Sequence, residues 1–118
     1  MLSAVKSSEN FARLMRRKEQ ITATLRHVQL EQKSVEGKAD LMDQSARKRR
    51  LDLLHYLNRW YLNEIDRVEN ALHRINENRY GVCSACSVPI EAEWLETFPE
   101  TDVCRACQEL RERMEWGG

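Results

Sequence analysis

The sequence predicts a mainly α fold: an antiparallel two-helix coiled-coil hairpin followed by a small C-terminal four-cysteine lobe and a terminal helix. Three observations predict it. Glycine (4) and proline (2) are scarce among 118 residues while charged residues reach 32%, which suits long solvated helices better than strands and turns. Two stretches carry apolar residues at alternating three- and four-residue steps, the mark of an amphipathic helix with a coiled-coil seam. All four cysteines lie beyond residue 80, in two pairs. The length allows one compact domain, or an elongated element carrying a small one, and not two separate cores.

The first seam reads Ala4, Ser7, Phe11, Leu14, Lys18, Ile21, Leu25, Val28, Gln32, Val35, and the second Gln44, Arg47, Leu51, Leu54, Asn58, Tyr61, Ile65, Val68, Leu72, Ile75. Leu53, Leu57 and Trp60 are expected to widen the second apolar face. Between the seams, Gly37 is placed as a helix C-cap and Asp40 as the N-cap of the next helix. Two helices joined by so short a link must fold back on each other. Roughly 30 residues per arm at ~1.5 Å rise make a rod of about 45 Å, too thin to bury much, so its base is expected to lean on the segment after Arg79. The chain thus divides into a hairpin over residues 1–78, with its tip near 37–46, and a lobe over 79–118 ending in a helix near Cys104–Met114.

Net charge is zero, which argues against a dedicated polyanion binder. Residues 1–50 carry 12 Lys and Arg against 6 Asp and Glu, a net +6, and residues 51–118 carry 7 against 13, a net −6. No apolar run approaches the roughly 20 residues of a membrane helix, and Met1 to Asn10 lacks a signal peptide's apolar stretch. A cytoplasmic chain with no membrane contact is expected, in which paired cysteines read as metal ligands before disulfides.

Cys83-x-x-Cys86 and Cys104-x-x-Cys107 are separated by seventeen residues. Two-residue spacing lets both thiolates of a knuckle face one ion while intervening N–H groups bond the sulfurs, and two knuckles complete a tetrahedral shell. Four thiolates leave no open coordination position, so one structural zinc is expected; an iron–sulfur site and a redox dithiol are the alternatives.

Asp40 and Asp43 lie at the turn of the hairpin. One reading is helix capping, with an acid favoured by the helix dipole. The other is that a long thin rod presents two carboxylates inside a groove or pore that a globule cannot enter. Lys38 and the run Arg47-Lys48-Arg49-Arg50 surround them with positive charge. The run is either a solvated helix face or a contact to nucleic acid or to an acidic channel wall.

With Asp-x-x-Asp at the tip and a finger reading Gly81-x-Cys83-x-x-Cys86-x-x-x-Ile90, then Leu95, Pro99 and Cys104-x-x-Cys107, the chain resembles the DksA/TraR family of C4-type zinc-finger proteins. The likeness extends over nearly everything from Ala4 onward. It implies a factor that binds RNA polymerase and inserts the coiled coil into the secondary channel. The tip acids Asp40 and Asp43 would then act near the active site and alter open-complex lifetime, within the stringent response. It departs at Ser45, which stands where the family tip has Ala, with Ala46 one place later; serine is small enough for insertion, but its hydroxyl changes the contact. The resemblance also implies a ppGpp response at the coiled-coil base and finger. Arg67 matches a basic position there, whereas Phe98 and Gln108 stand where basic partners are expected, which implies that the response is weak or absent.

His27, His55 and His73 lack ligand spacing and are placed on the surface. Trp60 is expected in core or base packing, Trp94 and Phe98 in the finger core, and Trp116 near the C-terminus is left unassigned. Lys18, Gln32, Arg47 and Asn58 at seam positions are expected to fix register. No nucleophile constellation is legible, so the chain reads as a monomeric regulator and not an enzyme, with no sequence-specific DNA binding. Two alternatives stand beside it: a Gre-like transcript-cleavage stimulator, which would use tip acids to help hold a second Mg²⁺, and a nucleic-acid-binding zinc protein using Arg47–Arg50.

Overall fold

The structure is a computed structural model that describes residues 4–38, 41 and 43–117. Among these residues four helices run in chain order: α1 (Ala4–Gly37), α2 (Gln44–Asn76), α3 (Ala92–Thr97) and α4 (Arg105–Gly117). No strand forms among the described residues; the one pairing is an antiparallel bridge between Val82 and Pro89. Within the described residues no helix is long and apolar enough to cross a membrane. The mainly α class, with two long packed helices and a cysteine-bearing C-terminal part, is as expected, but α3 was not foreseen. The chain forms two compact units, one of Met1–Arg16 with Arg67–Gly118 and one of Arg17–Asp66, so the divisions fall inside the long helices.

The unit of residues 17–66 is a helical hairpin. Ile21, Leu25, Val28, Val35 and Leu54 are buried, with Leu51, Leu57 and Tyr61 packed against the cluster of Val28, Val35 and Leu54. These are seam residues, except Leu57. Polar seam residues lie at the edge: Asn58 is half-buried and accepts a hydrogen bond from Gln29 Nε2 at 3.2 Å, a pairing that fixes register between the two helices. Two expectations fail here. Leu53 and Trp60 are 45% and 44% exposed, because they sit beyond the edge of the stripe that faces α1. One buried residue is charged: Glu64, paired with Arg17 at 4.0 Å.

Gly37 is the last helical residue of α1 rather than a residue beyond it. Lys38 N–H bonds Val35 O at 3.1 Å, and Leu41 N–H bonds Lys38 O at 2.9 Å to form the turn. At the other end α2 stops in a Schellman motif. Asn78 takes φ 59°; its N–H bonds Ile75 O at 3.1 Å and the Arg79 N–H bonds Arg74 O at 2.8 Å. Asparagine tolerates the left-handed region and leaves these last carbonyls satisfied.

The other unit buries Leu14 of α1, Val68 and Ala71 of α2, and Tyr80, Ile90, Leu95 and Val103 around the cysteines. Tyr80 donates to Pro99 O at 2.8 Å, and burial pushes its hydroxyl pKa up to about 12 despite the opposing pull of Arg13 and Arg74. The Arg74 guanidinium, whose pKa burial lowers, donates to Thr101 O at 3.1 Å and Glu100 O at 3.4 Å. These two side chains tie α2 and the finger loop together at backbone carbonyls that would otherwise lack donors.

Leu54→Ala should destabilise the protein by about 2–5 kcal/mol, the usual range for emptying a fully buried site. Leu53→Ala, one position away on the exposed face, should change stability by about 0.5 kcal/mol or less. Thermal or urea denaturation monitored by circular dichroism tests the contrast.

Candidate functional site

The four cysteine sulfurs lie within 4.8 Å of one another. Two short structures bring them there. The first knuckle grows from the Val82–Pro89 ribbon, where Cys83 N–H bonds Val88 O at 2.8 Å and Ile90 N–H bonds Gly81 O at 2.8 Å. Gly81 at φ 86° and Ser87 at φ 65° make its tight reversals. Within it the Cys86 N–H points at the Cys83 sulfur, 3.4 Å away. The second knuckle is the start of α4: Cys104 immediately precedes the helix, its carbonyl accepts from Gln108 N–H at 2.9 Å, and Cys107 falls in the first turn. Asp102 joins the two, its carbonyl accepting from Ser84 N–H at 2.8 Å and its carboxylate from Ser84 Oγ at 3.2 Å. Nothing in the spacing of the cysteines announces this Ser84–Asp102 brace.

These residues fit a tetrahedral zinc ion. Zn–S bonds of about 2.3 Å require sulfurs about 3.8 Å apart, and Cys86 and Cys104 stand at 3.7 Å. The electrostatics fit as well. Burial of the Cys83 sulfur opposes its ionisation, yet backbone N–H groups of Cys104, Cys86 and Ala85 outweigh it and bring the pKa down to about 6. The neighbouring sulfurs of Cys104, Cys86 and Cys83 push Cys107 up to about 12. Four thiols this close cannot all ionise alone; a dication at their centre supplies the missing charge and releases their protons. With no ligand position left open, such an ion organises the fold and does no chemistry.

At the tip, the observed cap of α2 is Asp43 and not Asp40. The Asp43 carboxylate accepts from Ala46 N–H at 3.2 Å, and its carbonyl accepts from Arg47 N–H at 2.8 Å. The signal was in the sequence: Gln44 heads the second seam, and Asp43 directly precedes it. Asp40 lies outside the described residues. Asp43 and Ser45 are exposed and Ala46 is half-buried, so the tip presents the acid and the hydroxyl to solvent.

The basic run divides by role. Arg47 donates to Glu36 O at 3.4 Å, one of the last carbonyls of α1, and Arg50 pairs with the Glu31 carboxylate. Arg47 and Arg50 thus close the hairpin, while Lys48 and Arg49 face solvent. His27, His55 and His73 are all exposed, as expected, with His73 beside Glu77. In the finger, Trp94 is half-buried against Phe98 (centroids 4.7 Å apart) with Arg105 over its ring at 5.9 Å. Phe98 itself is 42% exposed and outside the core it was expected to fill. Arg67 lies exposed on α2, and Gln108 donates to Glu112 at 3.2 Å.

Metal analysis of the purified protein should give one zinc per chain, and Cys104→Ser should lose it. Chelation should unfold the finger, because ligand convergence carries about 10 kcal/mol or more of folding free energy. Loss of near-ultraviolet aromatic signal from the Trp94 region is the readout; an unchanged spectrum after complete metal removal would contradict the assignment.

Comparison with known proteins agrees with this geometry. No family model matches the chain. A stretch of 51 residues, 43% of the chain, is 39% identical to the RNA polymerase-binding transcription factor DksA of Buchnera aphidicola subsp. Acyrthosiphon pisum (strain APS). That match spans 34% of the relative's own length. The fold is that of the transcription factor DksA2 from Pseudomonas aeruginosa, with a TM-score of 0.86 at 21% identity, covering 96% of this chain and 88% of that one. The RNA polymerase binding protein and transcriptional regulator Dks from Chlamydia trachomatis L2 (LGV434) aligns over the full length of both chains, with a TM-score of 0.62 at 16% identity. In its fold, its local identity to a DksA and its four-cysteine cluster, the chain resembles DksA-like zinc-finger proteins.

Proposed function

We propose that this chain is an RNA polymerase-binding transcription factor whose hairpin tip enters the secondary channel and modulates the stability of promoter open complexes. The observation that carries the reading is the exposed Asp43 carboxylate, fixed at the start of α2 by its own capping bond. A negative charge held at the end of a narrow hairpin suits a partner whose active site is reached through a pore and organised around a divalent cation. There it would compete with, or repel, groups around the metal without performing chemistry itself. The likeness to polymerase-binding relatives supports the same partner. The finger is the structural support in this reading, its zinc fully enclosed by Cys83, Cys86, Cys104 and Cys107.

Asp43 has two functions that substitution separates. Asn caps a helix about as well as Asp, whereas Ala costs about 1 kcal/mol. The native protein should shorten open-complex lifetime, and Asp43→Asn should restore it while binding polymerase and melting like the native protein. Asp43→Ala should lose the effect and destabilise the hairpin as well. If Asp43→Asn shortened the lifetime as the native protein does, the tip charge would have no part in the mechanism.

The division of the basic run argues against a role in grasping bare DNA. With Arg47 and Arg50 committed to the hairpin, Lys48 and Arg49 remain for phosphates. The dependence of log affinity for duplex DNA on log salt should therefore be no steeper than about −2, given a slope near −0.9 per phosphate engaged.

A further inference from the structure

The finger-bearing unit holds a cleft that neither the cysteine cluster nor the tip uses. Its volume is about 350 Å³, and it opens where the start of α1 meets the finger ribbon and α3. Every lining residue belongs to the unit of residues 1–16 and 67–118. The surface is graded in polarity. Buried Tyr80, Ile90 and Leu95 make an apolar floor, Asn10 and Arg13 stand half-buried in the α1 wall, and exposed Glu9 and Glu96 belong to the rim.

The charges of this cleft are unanswered by the protein. Arg13 Nη1 donates to Asn10 Oδ1, one turn back, at 3.5 Å, and among the described residues the guanidinium meets no carboxylate. Its charge lies close enough to Tyr80 to oppose the rise of that hydroxyl's pKa, so it sits by the floor and not out in solvent. Glu9 likewise forms no ion pair among the described residues, although it stands one turn from Arg13 on the same helix face. A half-buried guanidinium with most of its N–H donors unspent is a ready partner for a carboxylate.

These features select a ligand by exclusion. A phosphate-bearing molecule meets the acids Glu9 and Glu96 at the entrance, and a diamine brings positive charge against Arg13. A molecule with one carboxylate, one ammonium and an apolar body suits the whole surface. An α-amino acid carries both charges on one carbon, so its partners must be neighbours, as Arg13 and Glu9 are. The volume lies at the lower end of the ~300–1,000 Å³ of small-molecule sites, the scale of a single amino acid rather than of a nucleotide.

We propose that this cleft binds a free α-amino acid with an apolar side chain, its carboxylate on Arg13 and the Asn10 amide, its ammonium on Glu9 and its side chain over Tyr80, Ile90 and Leu95. The proposal goes beyond the polymerase reading and does not rest on it. A ligand held this way joins α1 to the finger, so occupancy stabilises the folded unit by mass action.

Calorimetric titration of the full-length, zinc-loaded protein tests this, with L-leucine, L-methionine and L-phenylalanine as probes and Tm recorded for every variant. At least one probe should bind saturably and raise Tm. For the tightest of them, the amine lacking its carboxylate and the acid lacking its ammonium should each bind about tenfold more weakly or worse. Glycine, which lacks the apolar body, should do the same. Arg13→Gln and Glu9→Gln should each weaken binding by about tenfold or more. Glu93→Gln, the same change at an exposed position of α3 outside the cleft, should stay within about twofold of the native protein. Because Glu9 is exposed, Glu9→Gln decides the matter if Arg13→Gln melts early. No saturable binding of any probe up to about 10 mM would overturn the proposal. Unchanged affinity in both Arg13→Gln and Glu9→Gln would overturn it by placing the ligand elsewhere. An amine analogue or putrescine that bound as tightly as the amino acid would overturn it by making the cleft a site for cations.

Discussion

Convergence of four sulfurs is the constraint on which the finger-bearing unit depends. A segment of about forty residues with two prolines and two helices, one of them only six residues long, buries too little apolar surface to order itself. The sulfurs within 4.8 Å of one another mark where its parts are gathered. The Val82–Pro89 ribbon, the turn through Ser87 and the N-terminus of α4 all end at this point, and the Ser84–Asp102 bonds brace one knuckle on the other. Once the loop between the knuckles is fixed, its carbonyls at Pro99, Glu100 and Thr101 become acceptors for Tyr80 and Arg74. Order at the cysteines is thereby passed to the end of α2.

The hairpin of residues 17–66 rests on a different balance. Its apolar seam is narrow, with Leu54 as its most fully buried side chain, and polar residues line the edges. Specificity of register comes from particular pairs: Gln29 with Asn58, Arg50 with Glu31, and Arg17 with the buried Glu64. At the turn, Asp43 satisfies a free N–H of α2 and Arg47 satisfies a free carbonyl of α1, so each helix end is capped by a side chain near the other. A tip built this way holds its carboxylate still, which an acid acting by position rather than by chemistry requires.

Much of this was legible in the sequence. Three-and-four periodicity located both long helices because their seam residues alternate cleanly with charge, and the two Cys-x-x-Cys pairs located the metal-binding cluster because ligand geometry dictates that spacing. What periodicity could not resolve was the width of each apolar face. Leu53 and Trp60 look like core by composition but lie outside it, since the α1–α2 contact is narrower than the apolar stripe on α2. The same limit hid Glu64, a charged residue at a buried position that depends on Arg17 across the hairpin. The cap was misassigned by three residues because Asp40 and Asp43 are chemically alike, and only the start of the second seam distinguishes them. Helix α3 was missed because six residues between prolines carry too few turns to show a period. The charge of Arg47 and Arg50 reads as a solvated helix face or as a contact surface, whereas their partners Glu36 and Glu31 lie on the other helix, beyond any local pattern.

The proposed position of the hairpin turn, beside the catalytic centre of RNA polymerase, is tested most directly by a proximity measurement. Leu41 is 83% exposed at the turn, so a photo-crosslinking phenylalanine in its place samples whatever the tip touches. Irradiation of the complex with polymerase should give crosslinks that map to elements lining the active-site end of the secondary channel. Crosslinks confined to the outer surface of the enzyme, or to DNA, would contradict the account.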